Sequence, residues 1–282
     1  MLVWCLTFVA GSAVGADATR GAYLVHAGGC IACHLGPTER SDDLSGGRPL
    51  VSPFGTFYAP NITPDSATGI GEWTQEAFNR AMREGKRPTH DAYYPAFPYV
   101  AYAGISDADL GDMKAYLEQL PPMRAPNRPH ELPWYLNRIT MRVWQWLLFE
   151  PEPFAADAFD DPLVARGAYL VRHLGHCGEC HTSRNAVGVL NHDLELAGNP
   201  QGPDDEEVPN ITPDRDTGIG KWTAADVEYF LQDGMLPDGD FVGGSMGEVI
   251  DHNTAHLTDE DRRAVAAYLS SVPPLPAVRA AD

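Results

Sequence analysis

Three blocks of this 282-residue chain occur twice. "RGAYLVHAGGCIACH" (20–34) returns as "RGAYLVRHLGHCGECH" (166–181), "PNITPDSATGIGEWT" (60–74) as "PNITPDRDTGIGKWT" (209–223), and "SDADLGDMKAYLEQLPP" (106–122) as "TDEDRRAVAAYLSSVPP" (258–274). The offsets are 146, 149 and 152, so only a few residues are inserted between blocks. Two long copies mean a duplicated domain, each with its own core, and not a solenoid of short repeats. The sequence therefore divides into a leader (1–16), a first domain (17–120), a connector (121–165) and a second domain (166–282).

Each copy reads as helical. "ATRGAYLVHAG" starts at Thr19 as a cap, with Tyr23, His26 and Ala27 at helical spacing. "TQEAFNRAMREG" has Thr74 as cap, Phe78 and Met82 on one face and Gly85 as a stop; "TAADVEYFLQDG" puts Val227 and Leu231 at the same places. After Ser106, with Asp109 three residues on, Leu110, Met113, Leu117 and Leu120 form an apolar stripe. No sustained alternation of a strand appears. In the connector, "PPMRAPNRPHELP" is broken by proline and "NRITMRVWQWLLFE" (137–150) is a short aromatic helix, long enough to pack on the domains and too short to span a bilayer. The expected fold class is mainly α: two tandem domains joined by a long aromatic connector.

Within the first repeat lie "CIACH" and "CGECH". Thiols at i and i+3 share a helix face and can both add to the vinyl groups of one haem, while the next histidine turns its imidazole to the iron. Cys30, Cys33, Cys177 and Cys180 are thus the attachment residues, and His34 and His181 the proximal ligands, of two covalently bound haem c groups. Structural zinc wants four protein ligands and each cluster offers three. A disulfide leaves the histidine unexplained, and a thioredoxin-like site lacks its βαβ setting.

With these motifs the chain resembles bacterial dihaem c-type cytochromes, in particular the cytochrome subunits of alcohol and gluconate dehydrogenases and dihaem thiosulfate-dehydrogenase-like proteins. The resemblance covers both haem motifs, both "PNITPD" loops and both terminal helices. It implies two class-I cytochrome c-like folds. One departure is clear: the alcohol dehydrogenase subunit usually carries three haem domains, and two motifs stand here. The resemblance also implies that the carbonyls of Pro60 and Pro209 accept the free N–H of the proximal histidines, a bond that orients the ring. Trp73 and Trp222 read as core residues with a possible place near a haem propionate, and Tyr23 and Tyr169 as helix-packing residues.

A sixth ligand is expected at each iron, and a methionine raises the potential. In the second domain Met246, in "GGSMGE", is the candidate ahead of Met235. Carrying the offset of 149 back without gaps places Phe97, in "YYPAFPYVAY", where Met246 stands. For the first haem the sixth position is open to His90, to Tyr93, Tyr94 or Tyr99, or to no protein ligand, with Phe97 and the tyrosines closing that side. Met82 and Met113 sit on core stripes. His26 and His176 read as packing or haem-edge residues.

Composition supplies the setting. The 44% hydrophobic and 21% charged content is globular, and 27 glycines and 24 prolines promise turns. A net charge of -19 excludes a nucleic-acid partner, which needs a basic face, and suits docking on basic patches of redox partners. "MLVWCLTFVAGSAVGA" reads as a cleaved export signal lacking its usual basic start, with Cys5 in a poor lipidation context. The expectation is a periplasmic protein carrying electrons from a dehydrogenase donor to an oxidase or cytochrome acceptor, and touching the membrane surface, if at all, through a partner. The alternative is a haem enzyme, peroxidase-like or acting on sulfur compounds, with the first haem as its reactive centre; the axial cysteine of thiosulfate dehydrogenases has no counterpart here, since all four cysteines after the leader are committed.

Overall fold

The structure, a computed structural model, describes residues 15–203 and 206–279. Most of the 1–16 leader, with Cys5, lies outside the described residues, as does the tail beyond residue 279.

The first half contains α1 (Ala18–Ala27), α2 (Cys30–His34), a hairpin of β1 (Pro49–Ser52) and β2 (Gly55–Tyr58), then α3 (Gln75–Glu84), α4 (Tyr99–Tyr102) and α5 (Asp107–Leu117). Helix α6 (Arg138–Leu148) follows in the segment between the halves. The second half contains α7 (Pro162–Ala168), α8 (Gly178–His181), α9 (Ala224–Asp233), α10 (Gly244–His252) and α11 (Asp259–Ser271).

Local chemistry sets the helix ends. Thr74 and Thr223 accept from the third backbone N–H of α3 and α9, and Gly85 and Gly234 end those helices at φ 60° and 80°, where a side chain is disfavoured. Ser106 and Thr258 cap α5 and α11 in the same way. The first helix corrects the sequence expectation: its cap is Asp17, which accepts from Thr19 and Arg20 N–H, so Thr19 already lies inside the helix. The hairpin was also not anticipated. Each strand has four residues, in register Pro49↔Tyr58 to Ser52↔Gly55, too few to display an alternating pattern.

In each half the first helix lies against the last, α1 on α5 and α7 on α11. The repeated "RGA" explains how close they come. A Cβ on Gly21 would stand 1.9 Å from the Asp112 carbonyl oxygen, and one on Gly167 2.0 Å from that of Ala264. Leu24, Val25, Leu110 and Met113 of the first half and Ala168, Val171, Leu174, Ala264 and Leu269 of the second are buried in one continuous core.

The halves differ by one residue between the shared arginine and the first cysteine of each motif. The extra residue is absorbed as a π-helical turn over Tyr169–Leu174, where the Gly175 N–H bonds the Leu170 carbonyl at 2.7 Å. The widened turn keeps Tyr169 in the register of Tyr23 and still presents His173 four residues before its cysteine, as His26 is.

These residues cross-link the halves reciprocally. Tyr23 donates to Asp261 and Tyr169 to Asp109. His26 Nδ1 donates to the His252 carbonyl and His173 Nδ1 to the Ala101 carbonyl, each at 2.9 Å. Within each half the shared arginine holds the acceptor carboxylate: Arg20 pairs with Asp109 and Asp112, and Arg166 grips Asp261 with two bonds of 2.8 and 2.6 Å. The tyrosines read as packing residues are therefore also donors to the opposite half.

Candidate haem sites

The paired thiols sit on or beside short helices. Cys30 and Cys33 lie on α2; Cys177 and Cys180 lie at the cap and within α8. All four are half-buried free thiols. Burial pushes Cys30 and Cys180 up to about 12 and Cys177 to about 11, so these are neutral thiols and not the activated thiolates of a redox dithiol. Among the described residues no group of three or more His, Cys, Asp or Glu converges as a metal cage.

His34 donates from Nδ1 to the Pro60 carbonyl at 2.7 Å, and His181 to that of Pro209 at 2.8 Å. The bond fixes the ring and leaves Nε2 as the lone-pair nitrogen, the form that ligates a metal. Burial holds both imidazoles below the ordinary histidine range, so they are neutral. Two thiols one turn apart plus a histidine with only Nε2 available is a donor set that fits covalent haem c, and it is built twice.

The "PNITPD" motif is a clamp for that carbonyl. Asn61 Oδ1 accepts from the Thr63 N–H at 2.9 Å while its Nδ2 donates to the Met123 carbonyl at 2.7 Å. Asp65 accepts from the Thr68 N–H at 2.6 Å. Asn210 and Asp214 repeat this, with Leu275 in place of Met123. The residues just after the last helix of each half thus brace the loop beneath the proximal histidine. Each motif also has an arginine on its backbone: Arg48 donates to the Ala32 carbonyl at 2.9 Å and Arg184 to the Glu179 carbonyl at 3.2 Å. Sequence reading missed both arginines, which stand outside the repeated blocks.

The distal residues fall differently in the two halves. Met246 lies in the first turn of α10, half-buried, on a helix tied to the first half by an ion pair between Glu248 and Arg48. Phe97 is half-buried among rings, edge-on to Tyr93 at 5.4 Å, Tyr102 at 5.8 Å and Tyr99 at 6.4 Å. Tyr94 and Tyr102 spend their hydroxyls on the carbonyls of Leu136 and Gly28. Burial pushes Tyr99 up to about 12 and also raises Tyr93 and Tyr102, which opposes a phenolate ligand. Met82 and Met113 are core residues.

His90 lies in the turn that precedes Tyr93. Its side chain is exposed, and it occupies a tight turn at φ 65°, the position that Gly239 fills at φ 89° in the second half. The turn is closed by a Lys86–Ala92 bridge as Met235–Phe241 closes the other. Trp73 and Trp222 pack against the core, Trp222 edge-on to Phe230.

The two attachment motifs abut. His176, immediately before Cys177, takes φ 42° where Gly29, immediately before Cys30, takes φ 71°. A Cβ on Gly29 would lie 2.9 Å from His176 Nε2, so the glycine is the hole that receives the histidine. Tyr102 seals the junction, its ring 5.4 Å from His176 and its hydroxyl on the Gly28 carbonyl.

Comparison with known proteins gives the family. Residues 18–121 match the cytochrome c family. A diheme cytochrome c-type protein of Cereibacter sphaeroides is 43% identical over 261 residues, covering 91% of this chain and 86% of its own. The gluconate 2-dehydrogenase cytochrome c subunit of Pantoea cypripedii is 38% identical over 264 residues, 90% of this chain and 59% of that one. The cytochrome c subunit of a quinone alcohol dehydrogenase of Gluconobacter oxydans is 38% identical over 268 residues, 91% and 55%. The chain thus spans little more than half of either dehydrogenase subunit.

Proposed function

Since the chain belongs to the bacterial dihaem c-type cytochromes, we propose that it is a periplasmic electron carrier that serves a dehydrogenase and hands electrons to a downstream oxidase or cytochrome. The observation that carries this reading is the twofold construction: two Cys-x-x-Cys-His helices, each with its histidine Nδ1 held by a proline carbonyl. Covalently bound haem c supplies a reversible one-electron iron couple. The residues proposed to hold it are Cys30, Cys33 and His34 in one domain (17–120) and Cys177, Cys180 and His181 in the other (166–282), with the aromatic segment 121–165 between them. Met246 is the proposed sixth ligand in the second, which makes that centre the one of higher potential. The net charge of -19 suits donor and acceptor proteins with basic docking patches. Relatives named as dehydrogenase cytochrome subunits support a dehydrogenase as donor.

A second reading, a haem enzyme with an open first centre, is favoured by one observation: an aromatic ring, Phe97, stands at the repeat position of Met246. Visible spectra with and without carbon monoxide separate the two. The carrier reading expects two haems per chain, neither responding to carbon monoxide, the second because Met246 fills its sixth position and the first because Phe97 and the tyrosines around it close that side, and loss of a methionine-to-iron band in Met246→Ala. Carbon monoxide binding by the wild-type protein would move the first site to the enzyme reading. His90→Ala is expected to leave the spectrum unchanged; a new high-spin component would identify that histidine as a ligand.

A further inference from the structure

Helix α6 wears its polarity inside out. Its inward side is fastened by polar groups: Arg138 donates to the Ala92 carbonyl at 2.7 Å, Trp144 to that of Val187 at 2.8 Å and Gln145 to that of Gly85 at 3.1 Å, with Met141 buried. Its outward side is Ile139, Val143, Trp146 and Leu147, which are 75, 50, 81 and 61% exposed. Their spacing of i, i+4, i+7, i+8 makes one stripe, and Trp134 (90% exposed) and Tyr135 stand exposed just ahead of the helix. A surface helix of a soluble protein turns such a stripe inward; contiguous apolar exposure of this kind marks an interaction surface.

Charge selects the occupant. Between Glu131 and Glu150 there is no acidic residue, while Arg138 and Arg142 are present, in a chain whose net charge is -19. The segment itself offers a basic redox partner no carboxylate. An isologous pairing of two copies brings two such acidic chains together. Aromatic residues toward both ends, aliphatic ones between and an exposed arginine beside them are the make-up of a helix lying in a bilayer interface. The 11 residues of α6 reach about 16 Å, enough to lie on a membrane and too short to cross one. No helix of the described residues is long and apolar enough to cross.

We propose that α6, with Trp134, seats the protein directly on a phospholipid surface. The stripe enters the boundary between headgroups and acyl chains, and Arg142 extends its apolar stem to pair with lipid phosphate. The contact is the chain's own and needs no partner to mediate it. Because the rest of the molecule is acidic, apolar burial drives the association, and strongly anionic lipid weakens it.

The test is co-sedimentation of the purified dihaem protein with phosphatidylcholine vesicles. The expected result is binding by the wild type, at least tenfold weaker binding by Ile139→Ser/Trp146→Ser, and unchanged binding by Tyr229→Ser, which removes an exposed ring on α9. A visible haem spectrum equal to wild type shows that the double variant is folded. Replacing half the lipid with phosphatidylglycerol is expected to reduce binding at low salt. The proposal is overturned if the wild type stays in solution with excess vesicles or if the double variant binds as well as wild type. It is equally overturned if light scattering finds a dimer through this face, or a dehydrogenase subunit binds it, while vesicles do not.

Discussion

At the scale of single residues, the reciprocal tyrosine–aspartate bonds make the clearest prediction. Burial, and then the bond to Asp261, push Tyr23 up to about 12. Burial opposes ionisation of Asp261, but bonds from Arg166 and Tyr23 hold its carboxyl below the usual range. Tyr23 is raised above its unfolded value of about 10, so its contribution is complete below that pH and is lost as pH rises toward 12. Asp261 is depressed below its unfolded value of about 3.9, so its contribution is complete above that pH and is lost as pH falls further. The stability these two groups add is therefore level between about pH 4 and 10 and declines on both sides. Tyr23→Phe is expected to cost about 1–2 kcal/mol in denaturant unfolding at pH 7 and to flatten the alkaline decline. No change at either pH would show the bond to be energetically idle. Neither tyrosine could be assigned this role from sequence, because its partner lies more than 230 residues away for Tyr23 and 60 away for Tyr169. The one visible signal was that Tyr and Asp recur together in both copies of their blocks.

Among elements, those with strong local signals were legible. Thr74 and Ser106 cap and Gly85 stops where the sequence indicates, and Thr223, Thr258 and Gly234 do the same at the repeat positions. The failures have physical causes. Asp17 outcompetes Thr19 because a carboxylate accepts two N–H groups at once. The four-residue strands are too short to show periodicity, and the π-helical turn is encoded only as a one-residue mismatch between repeats. The "PNITPD" loop was read for its proline carbonyl, which the structure does direct at the histidine. Its larger share of work, the asparagine brace, could not be seen because Met123 and Leu275 lie far along the chain. Asn61→Ala removes that brace and leaves buried partners unpaired; it is expected to cost about 2–3 kcal/mol and to shift the potential of the first haem and not the second. A redox titration with two unshifted midpoints would sever the loop from control of its histidine.

For the molecule as a whole, the junction of the attachment motifs decides how rigidly the two sites are held. Gly29→Ala places a methyl group 2.9 Å from His176 Nε2 and forces a side chain into a left-handed backbone, which costs about 1–2 kcal/mol before the clash is counted. Adding His176→Gly removes the nearest contact and leaves the backbone penalty and the approach to Asn253 Nδ2 at 3.0 Å. The double-mutant cycle is therefore expected to show coupling of about 1 kcal/mol or more, read from unfolding midpoints. Additive losses would mean that the two residues are indifferent to one another. The existence of two copies was plain from the repeat, whereas their mutual placement was not, since every bond between them joins blocks remote in sequence.

Those crossed bonds also bear on symmetry. A surface on which each half offers the same donor to the same acceptor of the other is what a symmetric homodimer makes. Gly29 and His176, like the Arg48–Glu248 ion pair, break that symmetry. Two glycines there would leave a gap and two histidines would collide, so this position cannot be identical in both halves and keep its fit. The pattern is that of a symmetric pair joined in one chain, and Gly29 opposite His176 is a difference that two identical chains could not carry.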